Sequence, residues 1–134
     1  MKAQSGIEYM IIIGFVSLAI AVVLLSAYFY INMSKDRIRE NQIEVMASKI
    51  ISSSEAVFFA GEPSQATVTV YVPQGVSNID ISGYDLIITS SASSGTNKRA
   101  FTSKVNITGT INAVEGAKKL LIKAEADRVV ISQK

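Results

Sequence analysis

Carboxylates are the side chains from which this sequence could build a catalytic or metal site. Its 134 residues include no cysteine and no histidine, which excludes thiolate nucleophiles, imidazole bases and Cys- or His-ligated metals. The acids of the C-terminal part show neither the spacing of a catalytic pair nor that of a calcium loop. We interpret these five as solvated surface: Asp80, Asp85, Glu115, Glu125 and Asp127. A carboxylate pair or a serine–lysine site stays formally open, but we expect no enzyme, no cofactor and no bound metal.

Glu8 stands apart from the other acids because an uncharged run begins at the next residue. The run from Tyr9 to Ile31 comprises 23 residues without a formal charge. As a helix it would be roughly 35 Å long, enough to cross a bilayer core of roughly 30 Å. Because it is apolar on all sides, we expect it to lie in lipid or in a packed bundle.

The sequence predicts one helix over residues 4–60, of which residues 9–31 are the candidate membrane span. There is no proline between Ser5 and Ala60, and Gly61, Glu62 and Pro63 form a stop signal. Three consecutive serines, residues 52–54, are the weakest point of the helix. Beyond Asn32 the pattern is amphipathic, with apolar residues mostly three, four or seven positions apart: Ile38, Ile43, Met46, Ala47, Ile50 and Val57.

A secretory signal peptide is the simplest alternative for the N-terminus. It would need a shorter apolar core of about 7–15 residues, followed by a small-residue cleavage site. Here the run is longer and continues directly into an amphipathic helix, and Tyr28 to Tyr30 follow the only small pair, Ser26 and Ala27. We therefore expect the run to remain in the mature protein.

Residues 64–134 have the composition of a β domain. In the stretch 66–72, Val68, Val70 and Val72 alternate onto one face, and Pro73 to Gly75 end it. Further strands are predicted over residues 78–82, 84–89, 101–108, 120–124 and 128–132, with a bulge or turn at Gly83 and an exposed loop over residues 90–98. We expect a small antiparallel, immunoglobulin-like β-sandwich whose one face covers Val57 and Phe58 of the helix, and thus an α+β chain.

The stretch from Lys2 to Met10 resembles the class III signal of archaeal type IV pilins. The Gln-x-x-x-Glu pattern of that family falls on Gln4 and Glu8, and with the apolar run the likeness covers about the first thirty residues. In this family a membrane-bound aspartic peptidase cuts before the glutamine and leaves the apolar segment attached. The resemblance implies a cut between Ala3 and Gln4 that removes residues 1–3. Bacterial type IV pilins usually begin with phenylalanine, and archaellins usually lack the glutamate.

Glu8, Gly14 and Ser17 are the residues to which we assign assembly. After the implied cut, the ammonium of Gln4 would lie about one helical turn from Glu8 and could pair with it, because a carboxylate beside an apolar bundle needs a cation or donors. The alternative is that Glu8 lies among lipid headgroups and complements the helix N-terminus. Gly14 and Ser17 are small and permit close helix approach, or are ordinary membrane-helix composition.

Two sequons, at Asn32 and Asn106, are candidate N-glycosylation sites. Asn106 is the better one because we expect it on the polar side of its predicted strand, whereas Asn32 is close to the membrane. Glycosylation would place the C-terminal domain outside the cell. The positive-inside rule would place it in the cytoplasm, because Lys35, Arg37 and Arg39 follow the run and only Lys2 precedes it. We give the Gln4–Glu8 pattern and the sequons more weight. The interleaved acids Asp36, Glu40 and Glu44 are expected to pair with these bases.

The sequence thus predicts a major pilin, first stored in the membrane and then polymerised into an extracellular adhesion filament. Its expected partners are further copies of itself, a prepilin peptidase, an ATP-driven assembly platform and receptors on surfaces or cells. Nucleic acid is not expected, because the net charge of +2 is small and the bases are spread out. An archaellin or minor pilin is the alternative within the family, and a single-span anchored binding protein that never polymerises is the alternative outside it.

Overall fold

The computed structural model describes the backbone of residues 2–134 and the side chains from Ser5 onward. One long helix is followed by five strands, so the chain belongs to the α+β class, as predicted. Two compact units make up the chain: an N-terminal unit of residues 1–35 and a C-terminal unit of residues 36–134.

The helix α1 extends over Lys2–Ala60. The serine stretch at residues 52–54 does not interrupt it, and the Ser54 hydroxyl donates to the carbonyl oxygen of Ile50 one turn earlier (2.8 Å). Gly61 has a φ of 81°, and its amide donates to the carbonyl oxygen of Phe58 (3.0 Å). The glycine therefore caps the helix at the predicted position.

Five strands form one mixed sheet in the order β1-β4-β5-β3-β2. Antiparallel pairing joins β1 to β4, β4 to β5 and β2 to β3, whereas β5 runs parallel to β3. Strands β1 and β2 are therefore the two edges. The bounds are β1 Gln65–Val72, β2 Val76–Ala92, β3 Gly95–Gly109, β4 Gly116–Ala124 and β5 Val129–Gln133.

The long strand β2 folds back on itself. The Ser91 amide donates to the carbonyl oxygen of Gly75 (2.8 Å), and the Ser77 hydroxyl donates to the carbonyl oxygen of Thr89 (3.2 Å). In each pair the two residues are equally distant from Gly83 in sequence. Gly83 has a φ of 65°, and the pairing of β2 with β3 shifts register directly after it. The two strands predicted on either side of Gly83 are thus the two arms of β2.

Residues 36–60 of α1 and the inner face of the sheet share one hydrophobic core. Val70 and Val72 are buried and Val68 is partly buried, which confirms the predicted inner face of β1. Val57 is buried, and Phe58 packs against the core. The helix contributes Ile43, Met46, Ala47 and Ile50, and the sheet contributes Leu86, Ile88, Val105, Ile107, Leu120, Ile122, Val129 and Ile131.

Several sequence predictions for the C-terminal unit are wrong in detail. The sheet is not purely antiparallel, because β5 lies between β4 and β3 and runs parallel to β3. The predicted loop over residues 90–98 is the end of a hairpin: Ala92 pairs with Gly95 around a two-residue turn. Ile38 is 57 % exposed although its spacing placed it with the buried face of α1.

Candidate assembly segment

The stretch of α1 from Tyr9 to Ile31, here called the apolar segment, has no covered side chain. Every residue from Ser5 to Ile31 is exposed, and Phe15 is exposed by 71 %. Exposed apolar surface of this extent marks a site that contacts lipid or protein, since water is a poor solvent for it. Within the described residues, α1 is the one helix long and apolar enough to cross a membrane.

Of the three assembly residues predicted from sequence, Gly14 and Ser17 lie in the apolar segment and Glu8 immediately precedes it. Glu8 and Ser17 are exposed, and a Cβ added to Gly14 would meet nothing within 4 Å. Gly14 and Ser17 are three residues apart and therefore share one face of the helix. Glu8, Gly14 and Ser17 all lie on exposed helix surface, so their chemistry is that of a surface open to another molecule. The predicted cut between Ala3 and Gln4 involves side chains outside the described residues.

The two sequons have different backbone environments. Asn32 is half-buried within α1, whereas Asn106 is half-buried in β3, between the buried residues Val105 and Ile107. Asn106 also lines a shallow cavity of about 340 Å³ beside residues 125–128. Asn106 thus lies on the polar side of its strand, as predicted.

The start of the C-terminal unit carries a polar cluster in which the expected pair of Asp36 and Arg39 is joined by Ser91 and Ser93, which the sequence did not predict. The Ser93 amide donates to Asp36 Oδ2 (3.1 Å), and Arg39 Nη1 donates both to Asp36 Oδ1 (3.1 Å) and to the carbonyl oxygen of Ser91 (2.6 Å). Hydrogen bonds from the Ser93 side chain and then from its backbone amide, together with the Arg39 charge, hold the pKa of Asp36 below its usual value. The cluster ties the β2–β3 turn to α1.

Further polar contacts join α1 to β3. Asn97 donates to Glu40 (3.3 Å), Arg99 lies 3.9 Å from Glu44, and the Lys104 amide donates to Glu55 Oε1 (3.0 Å). The expected pairing of the bases with interleaved acids is therefore found between Arg39 and Asp36, whereas Glu40 and Glu44 contact β3 instead. Sequence spacing could not reveal this, because the partners are about 50 residues apart.

The part of the chain that the structure describes offers no metal centre: no group of three or more acids approaches the geometry of one. The described buried side-chain nitrogen and oxygen atoms all have hydrogen-bond partners.

No family model, curated protein or solved structure matches the chain.

Proposed function

We propose that this chain is the major structural subunit of an archaeal type IV-like pilus. The observation that carries the proposal is the uncovered apolar segment, which begins one residue after Glu8. A helix that is apolar on all sides must be covered by lipid or by other helices. In this proposal lipid covers the segment before assembly, and the segments of neighbouring copies cover it afterwards.

The Gln4–Glu8 pattern supports processing by a prepilin peptidase, which cuts between Ala3 and Gln4. The ammonium created at Gln4 pairs with Glu8 of the same or a neighbouring copy and sets the axial stagger between subunits. Gly14 and Ser17 let two helices approach closely. Removing the segment from lipid requires work, so an ATP-driven platform in the membrane takes part in assembly.

The C-terminal unit forms the outside of the extracellular filament and contacts surfaces or cells. We further propose that this unit is an immunoglobulin-like sandwich. The two arms of β2 support this proposal, because counting each arm as a separate strand brings the number of strands closer to that of a sandwich. Asn106 of this unit and Asn32 of α1 are the proposed glycosylation sites.

Electron microscopy of material sheared from the cell surface tests the proposal. We expect filaments that contain this chain, with a mature N-terminus at Gln4 by mass spectrometry. An anchored protein that never polymerises would yield no filaments and would overturn the proposal. A deletion strain that loses swimming but keeps adhesion would identify an archaellin instead.

Glu8→Gln tests the proposed ion pair, because it removes the charge and keeps the size of the side chain. We expect at least a tenfold loss of filaments. The matched control is Glu62→Gln, an exposed acid beyond the end of α1, which should assemble normally. Normal assembly of Glu8→Gln would exclude the pairing role.

A further inference from the structure

A groove of about 540 Å³ runs between α1 and the edge strand β1 within the C-terminal unit. Its helical wall comprises the apolar residues Ile38, Val45 and Met46 together with the polar residues Asn41, Gln42 and Lys49. Its wall on the sheet comprises Thr69, Val70, Tyr71 and Ala117. Ile38, Val45 and Tyr71 are 57 %, 67 % and 50 % exposed. We call it the α1–β1 groove.

The chemistry of the groove favours an uncharged apolar occupant. Among the described residues that line it, Lys49 is the only charged one and none is a carboxylate. A charged partner would lose its hydration against the apolar walls without finding an opposite charge, apart from one acid that could reach Lys49. An apolar partner would cover Ile38, Val45 and Tyr71, which are now in water.

The shape of the groove favours a helix as that occupant. Its helical wall extends over residues 38–49, three turns along the axis of α1, so the groove is a channel parallel to a helix. Ile38 and Val45 are seven residues apart and continue the spacing of Leu24 and Ile31 in the sequence. Apolar residues at this spacing form the seam along which a second helix packs.

We propose that the α1–β1 groove receives the apolar segment of a second copy of this chain. The apolar segment is uncharged, helical and uncovered, which are the three properties that the groove requires. The contact joins two different surfaces, so each copy both offers a segment and receives one. A heterologous contact generates a closed ring when the rotation from copy to copy adds up to a full circle in one plane. When it does not, the contact generates an open helical filament. The inference rests on the proposed function and names the surface that the segment contacts.

Cysteine cross-linking in filaments tests the groove, and the chain contributes no cysteine of its own to the background. Val45→Cys is combined with one cysteine at a time at each position from Gly14 to Tyr28, and sheared filaments are treated with a short bismaleimide. We expect covalent dimers at positions that recur every three or four residues, because only one face of a helix enters the groove. The control places the fixed cysteine at Asn78, an exposed residue of β2, and should give no such periodic pattern.

Val45→Lys tests the same contact without a cross-linking reagent. It places a charge in the groove at an exposed position, so we expect an unchanged unfolding midpoint in detergent and at least a tenfold loss of filaments. Asn78→Lys adds the same charge elsewhere and should assemble normally.

The outcomes separate the two proposals. Wild-type filaments that give no periodic cross-links from Val45→Cys, or that form normally with Val45→Lys, would overturn the groove and leave the pilus subunit standing. The absence of wild-type filaments would overturn both.

Discussion

Gly109 lies directly against the backbone of Ile131, its partner in the parallel pairing of β3 with β5. A Cβ atom built on Gly109 would overlap the carbonyl oxygen of Ile131, and the φ of Gly109 is 148°. The close approach joins the last strand of the chain to the long hairpin formed by β2 and β3. The parallel pair therefore depends on the absence of a side chain at residue 109.

Gly109→Ala should destabilise the C-terminal unit strongly, because it combines a strained backbone with a clash that only movement of β5 can relieve. Gly116→Ala is the matched control, since Gly116 has a φ of 125° and open space around the added Cβ. The control should cost only the conformational strain, about 1–3 kcal/mol. Urea unfolding of the full chain in detergent measures both, and equal losses would show that the β3–β5 approach is looser than described.

Two isoleucines of α1 should differ sharply in their contribution to stability. Ile50 is fully buried in the core, whereas Ile38 is exposed in the α1–β1 groove. Ile50→Ala should lower the free energy of unfolding by about 2–5 kcal/mol, because it leaves a cavity. Ile38→Ala should change it by less than about 0.5 kcal/mol, as expected for an exposed site.

Filament yield should fall in Ile38→Ala although the stability of the subunit hardly changes. Ile38→Ala removes apolar contact from the groove and should reduce assembly of a fully folded subunit. A loss of stability in Ile38→Ala as large as that of Ile50→Ala would mean that Ile38 belongs to the core of the C-terminal unit.

The features that local sequence chemistry determines were predicted correctly. Gly61, Glu62 and Pro63 predicted the end of α1, because a positive φ and a missing amide both stop a helix. The alternation of Val68, Val70 and Val72 predicted the inner face of β1, because side chains alternate across a strand. These signals need only neighbouring residues.

The features that depend on distant partners were not predicted. Alternation shows which face of a strand is buried, but it does not show that β5 lies between β4 and β3. The composition of residues 90–98, rich in serine, resembles a loop, although cross-strand pairing keeps most of it in a hairpin. The α1–β1 groove was not predicted for the same reason. The spacing of Ile38 fits a core position, and only the position of β1 shows that this side chain is left uncovered.

Glu55 should protect one backbone amide of β3 from solvent exchange. The Lys104 amide donates to Glu55 Oε1 (3.0 Å), so Glu55→Ala removes its acceptor. We expect faster hydrogen exchange at Lys104 and a loss of about 0.5–1.5 kcal/mol, the usual net contribution of one hydrogen bond. Glu55→Gln keeps an acceptor oxygen and should retain most of the protection.

The exchange rate distinguishes this bond from a general loosening. Only peptides that contain residue 104 should exchange faster in Glu55→Ala, with the remainder of β3 unchanged. Uniformly faster exchange along β3 would show that Glu55 supports the packing of α1 rather than one amide.

The Asp36 cluster should make stability depend on pH in the acid range. The Ser93 hydrogen bonds and the Arg39 charge hold the pKa of Asp36 below its ordinary value of 3.8, so its carboxylate form is favoured in the folded chain. A group with a depressed folded pKa stabilises fully above its unfolded pKa, and this contribution disappears as the pH falls through the folded pKa. Asp36→Asn removes the charge and keeps an oxygen that can accept the Ser93 amide.

We therefore expect wild type to be more stable than Asp36→Asn by a constant amount above about pH 5, with the two converging below about pH 4. The urea unfolding midpoints of both proteins, measured from about pH 5 to well below pH 4, give the difference directly. Asp80→Asn, at an exposed acid of β2, is the control for the removal of one surface carboxylate. If Asp36→Asn differed from wild type equally at every pH, the stabilisation would come from the shape of the side chain, and the hydrogen-bonded charge that ties α1 to the β2–β3 turn would contribute nothing.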